Sequence, residues 1–329
     1  MRKCRIISGD VSQDDLGLSP EDRLLLQDEV NFIYHSAAST RFDDCVKTAV
    51  CFNTRSTKLL LDLAHQCKNL EVFVHLSTAY AFPEEKVLYE KVYKPSVDVH
   101  HVLAVVNRGR EEECEAYGYR DDCPNTYIFS KTLAEQLVVE QMDTLPVIIT
   151  RPSVVCPTFR EPLPGWGNNL QGPMGLFVGA RKGIIRCMYM KGDCYVDFGM
   201  TPWEEIIEMG KDIIYNDVPF NGVVWYPGGP IKKSRFVHNV CFFLFQVLPA
   251  IFIDALLIVL GYKPILCQIQ KRIYKSSEVF EYYTTKAWNF SNLKADELRA
   301  RQNKIEREKY QTDDEGVDVR EYFKKGCYQ

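Results

Sequence analysis

The sequence lacks most of the features that would give its chemistry away at once. Its twelve cysteines (4, 45, 51, 67, 114, 123, 156, 187, 194, 241, 267 and 327) include no C-x-x-C pair and no Cys/His cluster at metal-ligand spacing. A zinc module or a dithiol redox motif is therefore not expected, and no metal is expected. No basic-then-apolar leader opens the chain, since Met1-Arg2-Lys3-Cys4-Arg5 runs directly into a strand-like stretch. The cysteines are accordingly expected as free thiols in a reducing compartment, many of them inside apolar runs. A net charge of −4 supplies no basic field for nucleic acid. Internal repeats and low-complexity tracts are absent too. What is left is an ordinary globular composition, 46% hydrophobic and 26% charged over 329 residues. That suits one large or two medium domains with a substantial core.

Strand-like and helix-like stretches alternate along the first half. Arg5–Val11 reads as a strand with Asp10 at its carboxyl end, and Leu16–Glu29 as a short helix. Val30–His35 is a second strand, closed by Ser36-Ala37-Ala38, and a helix is predicted from Cys45 through Asn53 to His65. Glu71–Leu76 is a third strand running into Ser77-Thr78. After a charged excursion from Pro83 to Asp122, a helix starts at Thr126-Tyr127 and reaches about Met142. Leu145–Thr150 is a fourth strand, followed by Arg151-Pro152-Ser153. Near-continuous apolar strands alternating with helices predict an α/β fold, a doubly wound parallel sheet covered on both faces. In such sheets ligands sit at the carboxyl ends of strands. Asp10, His35-Ser36-Ala37-Ala38, Ser77-Thr78 and Arg151-Pro152 all lie at such ends.

The chemistry is concentrated at the helix start Thr126-Tyr127-Ile128-Phe129-Ser130-Lys131. A Tyr and a Lys four apart share one helix face, and a nearby ammonium favours the phenolate. A hydroxyl at a neighbouring strand end, Ser77 or Thr78, could polarise the same carbonyl oxygen. Together these make the site of a hydride-transferring reductase. The spacing alone is weak, because with 18 tyrosines a chance match is expected. One exists, Tyr282 to Lys286, with no strand and hydroxyl ahead of it, and it reads as surface. Taken alone, Asp10 is a turn residue, Asn53 a local cap, and His35 and His75 strand-end packing residues.

From Val154 onward prolines and glycines crowd the chain. Gly172-x-x-Gly175-x-x-x-Gly179 imitates a nucleotide-binding fingerprint but has no strand ahead of it and Pro173 in its turn, so a substrate-covering loop is expected. The strongest apolar run, 236–260, is long enough to cross a bilayer, about 20 residues being sufficient. Pro249 and Asp254 interrupt it. A spanning helix, an embedded hairpin bent at Pro249 and a buried helix pair all remain open. Lys232, Lys233 and Arg235 ahead of it suit a cytosolic flank. The tail from Lys271 to Gln329 is charged and helical in pattern.

These words together resemble those of the alcohol-forming fatty acyl-CoA reductases, extended short-chain dehydrogenase/reductases with a C-terminal male-sterility domain. The matching stretches are Gly9-Asp10-Val11, His35–Phe42, Asn53–Lys58, His75–Tyr80, Asn125-Thr126-Tyr127 with Lys131 and Glu135, and Arg151–Val155. Pro164-Gly165-Trp166 with Asn168-Asn169, Trp225–Gly229, Leu248-Pro249-Ala250 with Asp254, and Ala287–Phe290 continue it. Two departures stand out. The family begins with a strand and a T-G-x-x-G-F-x-G turn that cradles the cofactor pyrophosphate, and no such segment occurs here. Cys194–Trp203 also joins parts that the family keeps apart. The chain thus resembles a shortened or alternatively spliced product.

The resemblance implies a Rossmann-like reductase domain over 1–199, N-terminally truncated, and a mainly helical sterile-type domain over 200–329, membrane-associated through 236–260. It implies reduction of a long-chain fatty acyl-CoA by NADPH, through an aldehyde-level intermediate, to an alcohol for wax, ether-lipid or hydrocarbon-precursor synthesis. Tyr127 would be the proton donor, Lys131 would hold it ready and bind the nicotinamide ribose, and Thr78 or Ser77 would polarise the carbonyl. Asp10 and Val11 would edge the adenine. His35, Ala37 and Ala38 would line the cofactor at their strand end, Asn53 would support it, and Arg151, Pro152, Ser153 and Val154 would lie by the nicotinamide. The implied setting is the cytosolic face of the endoplasmic reticulum or peroxisome, with no nucleic-acid partner and room for a homo-oligomer. An inactive membrane-associated pseudo-reductase is the competing expectation. A sugar-nucleotide epimerase or dehydratase is a third, opposed by the apolar run and by Trp225-Tyr226-Pro227.

Overall fold

The computed structural model describes residues 3–109, 111–117, 123–158, 163–167, 173–191 and 231–310, with short pieces between and after them. Asn168-Asn169, Gly172, the join at 195–203 and Trp225–Gly229 lie outside the described residues. Two compact units form, Met1–Ser153 with Phe290–Leu293, and Val154–Asn289 with Lys294–Gln329.

In the first unit, Ser19 accepts a hydrogen bond from the Asp22 N–H and starts α1 (Pro20–Glu29), with Pro20 at a position where a missing N–H costs nothing. Three strands follow, β1 (Phe32–His35), β2 (Val72–Leu76) and β3 (Val147–Thr150). They form a parallel sheet in the order β1-β2-β3, with Tyr34 opposite Val74 and Val74 opposite Ile148. Between β1 and β2 runs one helical stretch, α2 (Val46–Ala49), a π turn (Val50–Arg55) and α3 (Ser56–Ala64). Between β2 and β3 come α4 (Val99–Arg108), α5 (Glu111–Glu115) and α6 (Thr126–Val139).

Period 2 along the strands sorts the sheet faces. Phe73 joins a core with Val46, Val50, Leu61, Val102 and Leu133, and Ile33, Val147 and Ile149 pack against it from the same face. On the other face Tyr34 is 70% exposed, Phe32 53% and Ile148 49%. The apolar strands predict cover on both faces; the described core lies on one.

Arg5–Val11 is not a strand. It carries no ladder, Ile6 is 95% exposed, and a strand without a neighbour has no partners for its backbone groups. The excursion after Pro83 holds α4, whose Asp98 caps the His100 and His101 N–H groups and whose end passes into Gly109 at φ 77°. Only glycine enters that left-handed region without strain.

In the second unit the glycine-rich stretch is helical, α7 (Pro173–Arg181), where a covering loop was expected. A Cβ at Gly179 would lie 2.7 Å from Ile185 Cδ1, so a larger residue there would make the Ile185 side chain shift. Two short parallel strands, β4 (Met188–Tyr189) and β5 (Ile231–Lys232), lead into the apolar run. That run is continuous, α8 (Arg235–Phe242), a π turn (Phe243–Val247) and α9 (Leu248–Val259), and it passes Pro249 without a hairpin. Proline lacks the N–H that would bond the carbonyl four residues back. Here the Arg186 guanidinium donates to that carbonyl, Phe245 O, at 2.7 Å. The reversal comes later, at Gly261, and α10 (Leu266–Thr284) packs back against α9 and the π turn. Asp254 is buried because its carboxylate caps α10, accepting from the N–H groups of Ile265, Leu266 and Cys267 at 3.1, 3.0 and 2.8 Å.

Candidate active site

The carboxyl end of β2 is held by continuation of its ladder with β3. The Ser77 N–H donates to Thr150 O at 2.8 Å and the Ala79 N–H to Pro152 O at 2.9 Å. Ser77 and Thr78 are thereby fixed and buried. The start of α6 is fixed as firmly. Asn125 Oδ1 accepts from the Ile128 N–H at 2.9 Å, and the Thr126 hydroxyl donates to Asp44 O at 2.9 Å. These two anchors set the Tyr127 phenol beside the Thr78 hydroxyl, close enough to act on its titration. Phe42 meets the tyrosine ring edge to face at 5.6 Å.

Ser77 and Thr78 are thus told apart. Thr78 faces Tyr127, whereas the Ser77 hydroxyl is buried without a hydrogen-bond partner.

One turn along α6, Lys131 is only 2% exposed and its ammonium donates to Leu76 O at 2.7 Å. Burial lowers its pKa to about 8, and the Glu135 carboxylate opposes that fall. Burial also raises the Tyr127 pKa above its ordinary value, with the Thr78 hydrogen bond pulling the other way. The sequence expectation that Lys131 lowers the tyrosine's pKa is not met, because burial governs the phenol and the ammonium is engaged by a carbonyl. Tyr127 is therefore protonated at neutral pH, the state a proton donor needs.

Behind Lys131 stands a closed ion pair. Arg151 Nε and Nη2 donate to the two oxygens of buried Glu135 at 2.9 and 2.8 Å. Nη1 donates to Tyr89 O at 3.3 Å and Nη2 also to Lys91 O at 3.2 Å. Phe82 and Tyr93 face the guanidinium at 5.7 and 5.4 Å. The expectation of Arg151 beside a nicotinamide is corrected for its side chain, since its donors are spent on Glu135 and on carbonyls of the 83–95 segment. Glu135 was visible in the sequence only as a residue four after Lys131, a spacing that places both on one helix face.

Asn53 lies in the π turn and is fully buried. Its amide joins three elements, with Oδ1 accepting from the Ser39 N–H at 2.8 Å and Nδ2 donating to Ser39 O at 3.0 Å and Ser130 Oγ at 2.9 Å. It ties the turn after β1 to the Tyr127 helix, a supporting role. In that turn Ala37 is exposed and Ala38 half-buried. His35 is corrected as a lining residue. Its ring is 2% exposed, its Nε2 is 3.0 Å from the Thr57 hydroxyl, and it packs on Phe73 and His75. Thr57 donates to Asn53 O, so His35 Nε2 is the donor to Thr57. Burial, helped by the Lys131 charge, pushes the His35 pKa down to about 4.

Asp10 is exposed. Its carboxylate accepts from the Ser12 N–H and hydroxyl at 2.9 and 2.7 Å and from Gln13 Nε2 at 3.3 Å, closing its own exposed turn beside half-buried Val11. Pro152 and Ser153 are exposed and Val154 half-buried. Among the described residues no group of three or more His, Cys, Asp or Glu could hold a metal.

The cluster fits a nicotinamide cofactor by the chemistry of its donors. Lys131 has three N–H groups and the Leu76 carbonyl takes one, which is poor satisfaction for a buried ammonium. A ribose diol would supply the missing partners.

Comparison with known proteins agrees with this chemistry. The NAD-binding male sterility protein family matches residues 1–209, and the Sterile male sterility protein family matches 245–328. The "Fatty acyl-CoA reductase wat" of Drosophila melanogaster is 31% identical, over 87% of this chain and 62% of its own length. The "Fatty acyl-CoA reductase 1" of Rattus norvegicus is 30% identical, over 99% of this chain and 70% of its own. The chain thus spans between 62% and 70% of the length of these two relatives. Among solved structures, a thiolation-reductase di-domain from an archaeal non-ribosomal peptide synthetase aligns over 98% of this chain and 60% of its own at 16% identity, with a TM-score of 0.45.

Proposed function

The chain belongs to the male sterility protein family of fatty acyl-CoA reductases, and from that premise we propose that it reduces a long-chain fatty acyl-CoA with NADPH. The product is the alcohol, reached through an aldehyde-level intermediate. The observation that carries this reading is the Tyr127 phenol set beside the Thr78 hydroxyl, with Lys131 buried one turn on and donating to Leu76 O at the carboxyl end of β2.

The family's cofactor, when bound, would supply a hydride in each of two rounds: the first gives a thiohemiacetal that loses CoA as its thiol to leave the aldehyde, and a second cofactor's hydride gives the alcohol. The residues of the chain do the rest. Thr78 orients the thioester carbonyl, and the protonated Tyr127 phenol gives its proton to the oxygen as negative charge develops there. Lys131 holds the nicotinamide ribose and returns positive charge to the neighbourhood of the tyrosine once the phenol has given up its proton. Glu135 and Arg151 hold Lys131 in place, and Asn53 ties the turn carrying Ala37 and Ala38 to α6. Preference for NADPH over NADH rests on the family alone. The exposed apolar run 236–260 supports a seat at a membrane, and the membrane proposed is the cytosolic face of the endoplasmic reticulum or peroxisome.

Fluorescence transfer to NADPH, followed by turnover of a long-chain acyl-CoA, tests the reading. NADPH-dependent alcohol formation that vanishes in Tyr127→Phe supports it. Cofactor binding without acyl reduction would replace it by a non-catalytic membrane-associated relative, and turnover of a nucleotide sugar by an epimerase-like enzyme.

A further inference from the structure

The helical run Arg235–Val259 is built with its polar side toward the protein. Its buried residues fall every fourth position, His238, Phe242, Gln246, Ala250 and Asp254. Four-residue steps drift around a plain α-helix, and the π turn at Phe243–Val247 takes up the drift and keeps the stripe on one side. Two of its polar members, Gln246 and Asp254, are hydrogen-bonded there, and the third, His238, packs against an aromatic ring. Gln246 accepts from the Arg186 N–H at 3.3 Å and donates to Cys187 Sγ at 3.3 Å. Asp254 caps α10, and the His238 ring lies 6.3 Å from that of Tyr189.

α10 lies along this run from end to end, antiparallel to it. Arg235 is 3.5 Å from Glu281 and 3.9 Å from Glu278, the Phe242 and Tyr274 rings are 5.2 Å apart, and Asp254 holds the first turn of α10. α10 carries Lys271, Arg272, Lys275, Glu278 and Glu281. A run that crossed a bilayer would draw this charged helix into hydrocarbon, where such groups are costly. Yet the opposite side of the run is apolar and open, with Phe236 77% exposed, Phe243 52%, Phe245 56%, Phe252 66% and Val259 83%. Both ends carry an exposed basic residue, Lys233 before the run and Lys263 after it.

We infer that Arg235–Leu260 lies in the plane of a membrane, its open face sunk into one leaflet and its ends held by anionic headgroups, without crossing. A helix with one apolar face and basic flanks binds in this way. The occupant is the acyl layer of a single leaflet. α10 and the rest of its unit stay on the side from which the helix enters. The inference rests on the membrane association proposed above and states its geometry.

The test uses the whole chain and sealed vesicles of phosphatidylcholine with phosphatidylserine. The chain floats with the vesicles, and less so when phosphatidylserine is left out. Phe243→Glu with Phe252→Glu lowers the bound fraction by at least about tenfold while the helical circular dichroism is kept. Cysteines placed at Ser234 and Lys263 are then treated with a membrane-impermeant maleimide added outside, with labelling read peptide by peptide by mass spectrometry. Labelling of both flanks in intact vesicles is the expected result. Protection of one flank until detergent is added would mean a crossing helix, and would overturn the in-plane geometry while leaving membrane association standing. A wild-type chain that does not float would overturn both.

Discussion

Two Tyr-x-x-x-Lys pairs occur in this chain, and their surroundings separate them more sharply than their spacing joins them. At Tyr282 and Lys286 the two side chains touch. Lys286 Nζ lies 3.4 Å from the Tyr282 hydroxyl and over the Tyr282 and Trp288 rings at 5.5 and 4.7 Å. At Tyr127 and Lys131 the phenol is set beside the Thr78 hydroxyl and the ammonium donates to Leu76 O. The pair in contact is a half-buried packing arrangement at the carboxyl end of α10. The other pair points both groups at strand-end partners from a buried helix face. A motif of this kind names a reductase through what stands opposite it.

Removing the two tyrosine hydroxyls breaks the comparison most directly. Tyr127→Phe is expected to lower NADPH-dependent acyl-CoA reduction by about 10²–10⁴-fold, the usual worth of a positioned proton donor. Tyr282→Phe leaves it within about twofold. Equal losses, read as kcat/KM, would sink the assignment of Tyr127.

The support behind each lysine differs as well. Glu135→Gln leaves Arg151 with an uncompensated charge among Phe82, Tyr93 and two carbonyls, at a cost of roughly 3–5 kcal/mol in unfolding free energy. It also drops the Lys131 pKa below its value of about 8, since Glu135 is what holds it up. Urea unfolding reads the first effect, and the pH dependence of lysine methylation the second. Lys286→Met removes a cation–π contact and costs less than about 1 kcal/mol. A Lys131 that titrates alike with and without Glu135 would show that the ion pair is a clamp for the 83–95 segment alone.

The legibility of the site follows the range of the interactions that make it. β1, β2 and β3 were readable because near-continuous apolar runs mark buried strands, and the Tyr127 helix because Asn125 and the strand-end hydroxyls flank it. Arg5–Val11 has the same local pattern and no ladder, since a strand is defined by its neighbour. α4 has a local signal of its own, an Asp98 cap, apolar residues at 99, 102, 103, 105 and 106, and Gly109 at its end. The roles of Arg151, Asp10 and Asp254 could not be read from their positions. Each carboxylate or guanidinium is assigned by a partner, and the partners are Glu135 and the carbonyls of 89 and 91, the turn at Ser12, and the first turn of α10.

Acid sharpens the comparison next, because the first pair stands against two buried imidazoles. The His35 pKa lies at about 4 and that of His75 well below its ordinary value of 6.5, both through burial first and the Lys131 charge second. Both folded values are depressed, so the unfolded chain binds more protons below pH 6.5. The stability present above that pH is lost as pH falls from about 6.5 toward 4. For His35 alone the loss reaches on the order of 3 kcal/mol at the lower end. His35→Gln should flatten that part of the pH–stability curve, and a curve unchanged by the substitution would mean that the imidazole is charged in the fold.

The smallest expected effect separates two neighbours. Thr78→Val removes the hydroxyl that meets Tyr127 and lowers turnover by about tenfold, the worth of one neutral hydrogen bond made to a developing charge. Ser77→Ala removes a buried hydroxyl that has no partner. Its loss relieves a desolvated polar group, so stability holds or rises slightly and turnover stays within about twofold. The ladder bond from the Ser77 N–H to Thr150 O is untouched by either change, so the strand end keeps its position in both variants. A tenfold loss in Ser77→Ala with Thr78→Val unaffected would exchange the two roles and turn the substrate carbonyl toward the other side of the strand.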